Sequence, residues 1–331
     1  MKSYDAHWST IGDACRTPVS DGQMVYAQFD PHVAVAYDLD GNRRWIANIS
    51  DLGLAKRQTA DKWVYPNQPT NSPVLVGDKL ILLNGWMRAL DKKTGKMIWD
   101  TGLLEKGFDK SHDMPHTTCA QSLVPCRIGN ADYVLGFHGR LVRASDGKVM
   151  AGPTSNVNAH TTPVIDGDTA YVWSGQRYKM IANGDEVTMR PAGRTSESDH
   201  AMSSPLVYGG LVYYLDAIGV LRVCDAHTNN LLYKQVLDMT PLFHHSSMGA
   251  TASVCLAGKH IFLLDDQGAC VVIEPGRTFK QVSLNRIDCL MQHPWPIGTI
   301  ERTWSTPTFD GKCMYIRSER NLYCIGEEKG K

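Results

Sequence analysis

Five histidines stand just ahead of short apolar runs: His116 precedes TTCAQSL, His160 precedes TTPV, His200 precedes AMSSP, and His244 and His245 precede SSMGATAS. Imidazoles gathered from separate segments can hold a divalent metal, contact an anionic ligand, or titrate near about pH 6.5. Two acids, Asp113 and Asp199, lie in the same stretches. The residues singled out for a shared polar site are His116, His160, His200, His245 and Asp113; the metal, if there is one, is not specified by them. Each histidine can equally cap its own loop. The run from histidine to proline is three residues at His160–Pro163 and five at His200–Pro205, so the pattern does not demand convergence.

Other chemistry is less marked. Nine cysteines is an odd number, and no C-x-x-C or Cys/His cluster with zinc spacing occurs. Cys224, Cys270 and Cys324 fall at corresponding places in apolar runs, and Cys255 and Cys313 lie in similar runs, as buried free thiols acting as small apolar residues do. Cys119 and Cys126 flank one run and are the best-placed disulfide pair. Their spacing leaves pairing open, because it depends on Cα separation. Ser203, Ser246 and Ser305 read as ordinary strand-opening serines, since a catalytic triad leaves no spacing signature here.

The elements that would position these residues are repeats. ALDKKTGKMIW (Ala89 to Trp99) has partial copies at AYDLDGNRRW from Ala36, VCDAHTNNLLY from Val223 and VIEPGRTF from Val272. A Ser/Thr-Pro-apolar opening recurs upstream as TPVSDG from Thr17, SPVLVGD from Ser72, TPVIDGD from Thr162, SPLVYGG from Ser204 and TPTFDGK from Thr306. Weaker versions start at Ser122 and Ala252. Seven copies of one unit mean a repeat architecture. In the second copy the strands are PVLV from Pro73, KLILL from Lys79, MRALD from Met87 and KMIWD from Lys96, joined by hairpin turn residues. Four short antiparallel strands repeated seven times predict an all-β fold, a β-propeller of four-stranded antiparallel blades. The repeats lie near residues 17–50, 71–103, 118–152, 160–192, 203–238, 250–285 and 304–326, within a single domain spanning 1–331.

The turn has a physical logic. Asp91 accepts hydrogen bonds from its own turn, and Gly95 takes a positive φ. Trp99 then stands on the outermost strand, where its indole can lie across the neighbouring blade. A buried indole covers roughly 150–250 Å², at most about 4–6 kcal/mol at ~25 cal/mol per Å². Trp45 and Tyr233 are expected to act likewise in the first and fifth blades.

Ala89, Asp91, Thr94, Gly95 and Trp99 match the tryptophan-docking repeat A-x-D-x-x-T-G-x-x-x-W in full. The chain therefore resembles the PQQ-like β-propeller repeat superfamily over nearly all of residues 17–326. That superfamily holds quinoprotein dehydrogenases, which carry pyrroloquinoline quinone (PQQ) and Ca²⁺, and non-catalytic members such as the BamB-type propellers of outer-membrane protein assembly. The resemblance implies a binding or scaffold propeller of the cell envelope, with no cofactor and with another protein or an extended polymer at the channel face. The alternative is a PQQ-dependent oxidoreductase acting on alcohols or sugars. In those enzymes a disulfide between adjacent cysteines covers the cofactor, and Glu, Asn and Asp serve the calcium and the base. No two cysteines are adjacent in this sequence, and a hard cation needs about six to eight oxygen ligands. The sequence therefore leans away from an enzyme.

Lys+Arg and Asp+Glu both count 34, so the net charge is zero and no basic stripe implies nucleic acid. No run approaches the ~18 apolar residues of a transmembrane helix. The opening MKSYDAHWST has no apolar signal-peptide core, so the envelope location comes from resemblance, and free thiols suit a cytoplasmic home equally. The last repeat supplies three strands, and Tyr4–Ile11, with Trp8, is expected to add the fourth. Eight blades is the expectation if the chain is a fragment. Three long connections, 50–70, 101–117 and 286–304, carry Arg57, Trp63, Tyr65, Trp295 and Arg302, residue types suited to partner recognition.

Overall fold

Short runs of two to nine residues, cut by Asp, Asn and Gly turns, fold as strands in seven sheets. The computed structural model describes residues 16–29, 33–49, 71–84, 86–101, 122–136, 139–152, 161–172, 175–194, 202–239, 249–287, 302–303, 305–318 and 321–326. The first sheet is β1 (Val19–Ser20), β2 (Met24–Phe29), β3 (Val33–Asp38) and β4 (Arg43–Asn48). The second is β5 (Val74–Val76), β6 (Lys79–Asn84), β7 (Trp86–Asp91) and β8 (Met97–Asp100). The third is β9 (Val124–Ile128), β10 (Ala131–Gly136), β11 (Arg140–Arg143) and β12 (Val149–Ala151). The fourth is β13 (Val164–Asp166), β14 (Thr169–Val172), β15 (Gln176–Asn183) and β16 (Glu186–Arg194). The fifth is β17 (Leu206–Tyr208), β18 (Leu211–Leu215), β19 (Val220–Asp225) and β20 (Leu231–Val236). The sixth is β21 (Cys255–Ala257), β22 (His260–Leu264), β23 (Ala269–Ile273) and β24 (Gln281–Arg286). The seventh has three strands, β25 (Thr308–Asp310), β26 (Cys313–Arg317) and β27 (Leu322–Gly326).

Within each sheet the strands follow chain order, and the registered pairs are antiparallel. The fold is an all-β, seven-bladed β-propeller of mostly four-stranded sheets. The segment Tyr4–Ile11, expected to complete the seventh sheet, lies outside the described residues. The chain forms two compact units, one of Met1–Asp168 with Met180–Arg190, the other of Thr169–Lys179 with Pro191–Lys331.

The middle strands carry the core because both their faces are covered. Every residue of β18 and of β23 is buried, whereas β20 and β24 are largely exposed. In the first unit Tyr26, Ala34 and Ala36 pack with Leu80, Leu82 and Leu90. On the other face of the second sheet, Ile81, Leu83, Ala89 and Trp99 pack with Leu123, Val134 and Val142. In the second unit Tyr213, Leu221 and Val223 pack with Ile261, Leu263 and Val271, and Leu264, Cys270 and Val272 pack with Ile316. Alternate residues of β6 and β23 thus serve opposite clusters, the period-2 signature of a sheet between two neighbours.

The Ser/Thr-Pro openings have a shared hydrogen bond. The Thr17 amide donates to Ser72 Oγ at 3.0 Å, the Ser72 amide to Ser122 Oγ at 3.4 Å, and the Ser122 amide to Thr162 Oγ1 at 3.1 Å. In the second unit the Ser253 amide donates to Thr306 Oγ1 at 3.1 Å. Each hydroxyl thus accepts from the matching residue one blade earlier. The Thr17 bond joins the opening of the first sheet, whose β1 has only two residues, to that of the second.

Candidate functional site

The turn between third and fourth strands is built from the residues the repeat singled out. In the second sheet Asp91 Oδ1 accepts from the Lys93 amide at 3.1 Å, the Thr94 amide at 2.8 Å and the Thr94 hydroxyl at 2.7 Å. The Thr94 hydroxyl and these amides hold the Asp91 carboxyl below the usual range. Gly95 closes the turn at φ 72°, donating to the Asp91 carbonyl at 2.8 Å. A Cβ on Gly95 would lie 2.7 Å from the Trp45 ring, so the glycine is both a backbone and a packing requirement. Trp45 Nε1 donates to the Lys92 carbonyl at 2.9 Å. Trp99 repeats the arrangement on the third sheet: Nε1 donates to the Ala144 carbonyl at 3.0 Å, and a Cβ on Gly147 would lie 2.7 Å from the indole.

A bulge aims these indoles. Ala36 pairs with Trp45 and Tyr37 with Arg43, so Arg44 is extra. Ala89 pairs with Trp99 and Leu90 with Met97, so Ile98 is extra. The same shift recurs in the third, fifth and sixth sheets. A bulge turns the side chains beyond it relative to the strand before it, and the partner of each Trp is an alanine that leaves space.

Where the motif departs from its full form, the chain compensates. In the third sheet Arg143 stands in the turn Asp position, and Asp146 accepts its Nε at 3.0 Å together with the Lys148 amide at 3.1 Å. Among the described residues of the second unit no tryptophan reaches the fifth turn. Arg177, from the third strand of its sheet, donates to the Ala226 carbonyl, the counterpart of Lys92 and Ala144, and to the Ala192 carbonyl at 2.7 Å. Asn229 takes the glycine position at φ 69°. Gly193 makes room for it, since a Cβ there would lie 2.7 Å from Asn229 Nδ2. Tyr233 packs on Phe279 at 6.2 Å between ring centroids.

Basic side chains of one turn reach the acids of the previous sheet. Lys92 Nζ lies 2.9 Å from Asp21 Oδ2, and with the Met24 amide it holds the Asp21 carboxyl far below its usual value. The Thr228 amide and then Arg277 Nη1, at 3.0 Å, do the same for Asp225. Among the described residues one ion pair is fully buried: Arg88 Nε lies 2.5 Å from Asp100 Oδ2, and Arg88 Nη1 donates to the Ile49 carbonyl at 3.3 Å.

His116, His160, His200, His244, His245, Asp113, Asp199, Cys119 and Ser246 lie outside the described residues, as do Arg57, Trp63, Tyr65 and Trp295. The described residues next to two of these histidine segments are firmly held. Ser203 Oγ donates to the Leu215 carbonyl at 2.9 Å. The Ala250 amide donates to the Ala217 carbonyl, and Gly249 accepts from the Asp266 amide, both at 3.0 Å. The turns receiving these segments, 216–219 and 265–268, carry the buried carboxylates Asp216, Asp265 and Asp266. Asp216 is paired with Arg222, and Asp265 caps its turn through the Gln267 and Ala269 amides at 3.0 and 2.8 Å. Ser305 Oγ donates to the Arg317 carbonyl at 2.8 Å, so this serine, like Ser203, is a backbone clasp. The sequence had no signal for these clasps, because their partners lie a dozen residues away on a strand end.

Among the described residues no group of three or more His, Cys, Asp or Glu is placed to hold a metal. The Cys126, Cys224 and Cys270 thiols are pushed up by burial to about 12, 11 and 12 respectively. Such thiols are poor nucleophiles and metal ligands. No helix among the described residues is long and apolar enough to cross a membrane.

Known proteins match this architecture. The crystal structure of BamB from Moraxella catarrhalis superposes with a TM-score of 0.59 at 13% identity, covering 90% of this chain and 80% of that one. The C-terminal WD40 domain of Sif2 gives 0.57 at 10% identity over 95% and 81%. The computationally designed Ika8 protein gives 0.53 at 11% identity over 93% and 83%. No curated protein matches by sequence. The sequence pattern of the family described as outer membrane protein assembly factor BamB matches residues 6–183, just over half of the 331 residues. The chain belongs to this family of PQQ-like propellers.

Proposed function

We propose that this protein is a non-catalytic binding propeller that serves protein–protein interaction in assembly at the cell envelope. The family match over residues 6–183 carries the reading, because that family is described as an outer-membrane protein assembly factor. The envelope location rests on the same description. The partner face is the one onto which the blade-opening segments lead, with His116, His160, His200, His245 and Asp113 offering imidazole and carboxylate contacts to a partner protein or extended polymer. The clasped Ser203 and the buried turn carboxylates beside two of those segments support a rigid platform, which is what a recognition surface requires.

Deleting the gene in the native host should lower the amount of folded, heat-modifiable outer-membrane β-barrel protein, and the wild-type chain should restore it. A folded chain carrying H116A, H160A, H200A and H245A together should restore it poorly. Unchanged barrel protein on deletion would overturn the assembly role, and full rescue by the quadruple variant would move the partner face elsewhere. Saturable binding of PQQ with Ca²⁺, with dye-linked oxidation of an alcohol or sugar, would overturn the non-catalytic reading.

A further inference from the structure

The seventh sheet brings two cysteines together. Along β26, Ile316 is buried and Met314 packs with it against Leu264, Cys270 and Val272. Alternation along the strand sends Cys313 and Tyr315 to the other face. Tyr323 of β27 joins the same apolar cluster, so Cys324 and Gly326 share the face of Cys313 and Tyr315. Tyr315 pairs with Cys324 and Cys313 with Gly326, which makes the two cysteines diagonal neighbours on one face, about 7–8 Å apart, so a bond between them draws β26 and β27 together.

Gly326 gives the pair its room. A Cβ there would lie 3.0 Å from Cys313 Sγ, so the Cys313 thiol leans over β27. The Cys324 thiol beside it pushes the Cys313 thiol up, the Tyr315 hydroxyl in the same cluster works the other way, and Cys324 is therefore the attacking thiol and Cys313 the resolving one. Cys324 is exposed and Cys313 half-buried, unlike the buried Cys224 and Cys270. Solvent-accessible thiols with a neighbouring thiol to resolve them are the ones that exchange.

We propose that Cys313 and Cys324 are a redox-active dithiol that closes to an intramolecular disulfide by exchange with a disulfide oxidant, stapling β26 to β27. Cys324, the exposed partner, loses its proton to solvent, and its thiolate attacks one sulfur of the oxidant. The oxidant S–S bond breaks, one thiolate leaves, and a mixed disulfide forms on Cys324. Cys313 then loses its proton and attacks Cys324 Sγ, forming the intramolecular bond and expelling the second thiolate. Two protein thiols are oxidised by two electrons, the oxidant is reduced to two thiols, and the two protons end on them. The closed form ties down β27, the last strand of a sheet that has only three among the described residues.

The test uses the full reduced chain and oxidised glutathione, followed by alkylation and peptide mapping by mass spectrometry. The cross-linked Cys313–Cys324 peptide is the expected main product, with Cys126, Cys224 and Cys270 alkylated only after unfolding. C313S should stop at a glutathione adduct on Cys324. A wild-type chain that accumulates this adduct without the cross-linked peptide, or in which Cys324 does not react, would overturn the proposal. The oxidised wild type should unfold at higher urea than the reduced form, a difference that C313S/C324S should lack; identical midpoints for the two wild-type forms would remove the staple.

Discussion

The contact between Trp99 and Gly147 can be tested by a double-mutant cycle. Trp99 is buried, donates to the Ala144 carbonyl at 3.0 Å, and covers Gly147 so closely that an added Cβ would meet two ring atoms at 2.7 Å. Removing a large buried aromatic costs roughly 3–5 kcal/mol, so Trp99→Ala should lower stability by that amount. Gly147→Ala carries two separate costs. The backbone at φ 76° is left-handed, which an alanine tolerates at about 1–2 kcal/mol. The overlap with the indole adds about 1–3 kcal/mol, as in other overpacked cores. Only the backbone cost survives once the indole is gone. The double variant should therefore be more stable than the sum of the singles predicts, by about 1–3 kcal/mol. Urea unfolding followed by far-ultraviolet circular dichroism, at unchanged m-value, reads all four proteins. Additivity within about 0.5 kcal/mol would mean that the indole and glycine are not in energetic contact, and the docking argument would fall.

Arg88→Ala should cost about 3–5 kcal/mol by stranding the buried Asp100 charge, whereas Arg88→Met with Asp100→Leu should cost much less; equal losses in urea unfolding would refute the buried pair. Ser72→Ala removes the acceptor of the Thr17 amide and should cost about 0.5–1.5 kcal/mol, measured the same way. Acid should destabilise the protein. The folded-state pKa values of Asp21, Asp91 and Asp225 are depressed, so their stabilisation is complete above the unfolded value of about 3.9. It is lost as pH falls through their folded values. Urea midpoints recorded from pH 5 down to pH 2 should fall less steeply in Asp225→Asn than in the wild type, and parallel curves would show that Asp225 is not a coupled group.

Much of the fold is written in local residues. Strand and turn lie within about ten positions of each other, so PVLV, KLILL, MRALD and KMIWD appear in the structure within a residue or two as β5 to β8. The Asx turn at Asp91 is equally local, because its donors are two and three residues on. The site residues chosen for ligand chemistry gain nothing from such patterns. His116, His160, His200 and His245 lie in segments with no repeat of their own, and they fall outside the described residues.

What the sequence alone determined was the unit: its four strands, its turn, and the docking role open to Trp45 and Trp99. What only the tertiary structure decided was how each unit meets the next. The carbonyl that receives the Trp99 indole is 45 residues away, and the amide that uses Ser72 is 55 residues away. Arg177 reaches Ala226 from a third strand, where a tryptophan would have come from a fourth. The recurring bulge needs a strand register, and the facing thiols of Cys313 and Cys324 need both a register and a glycine opposite. Local propensity acts through neighbours in the chain. These contacts arise only once sheets pack face to face, where shape and unmet hydrogen bonds select among side chains that the sequence leaves equivalent.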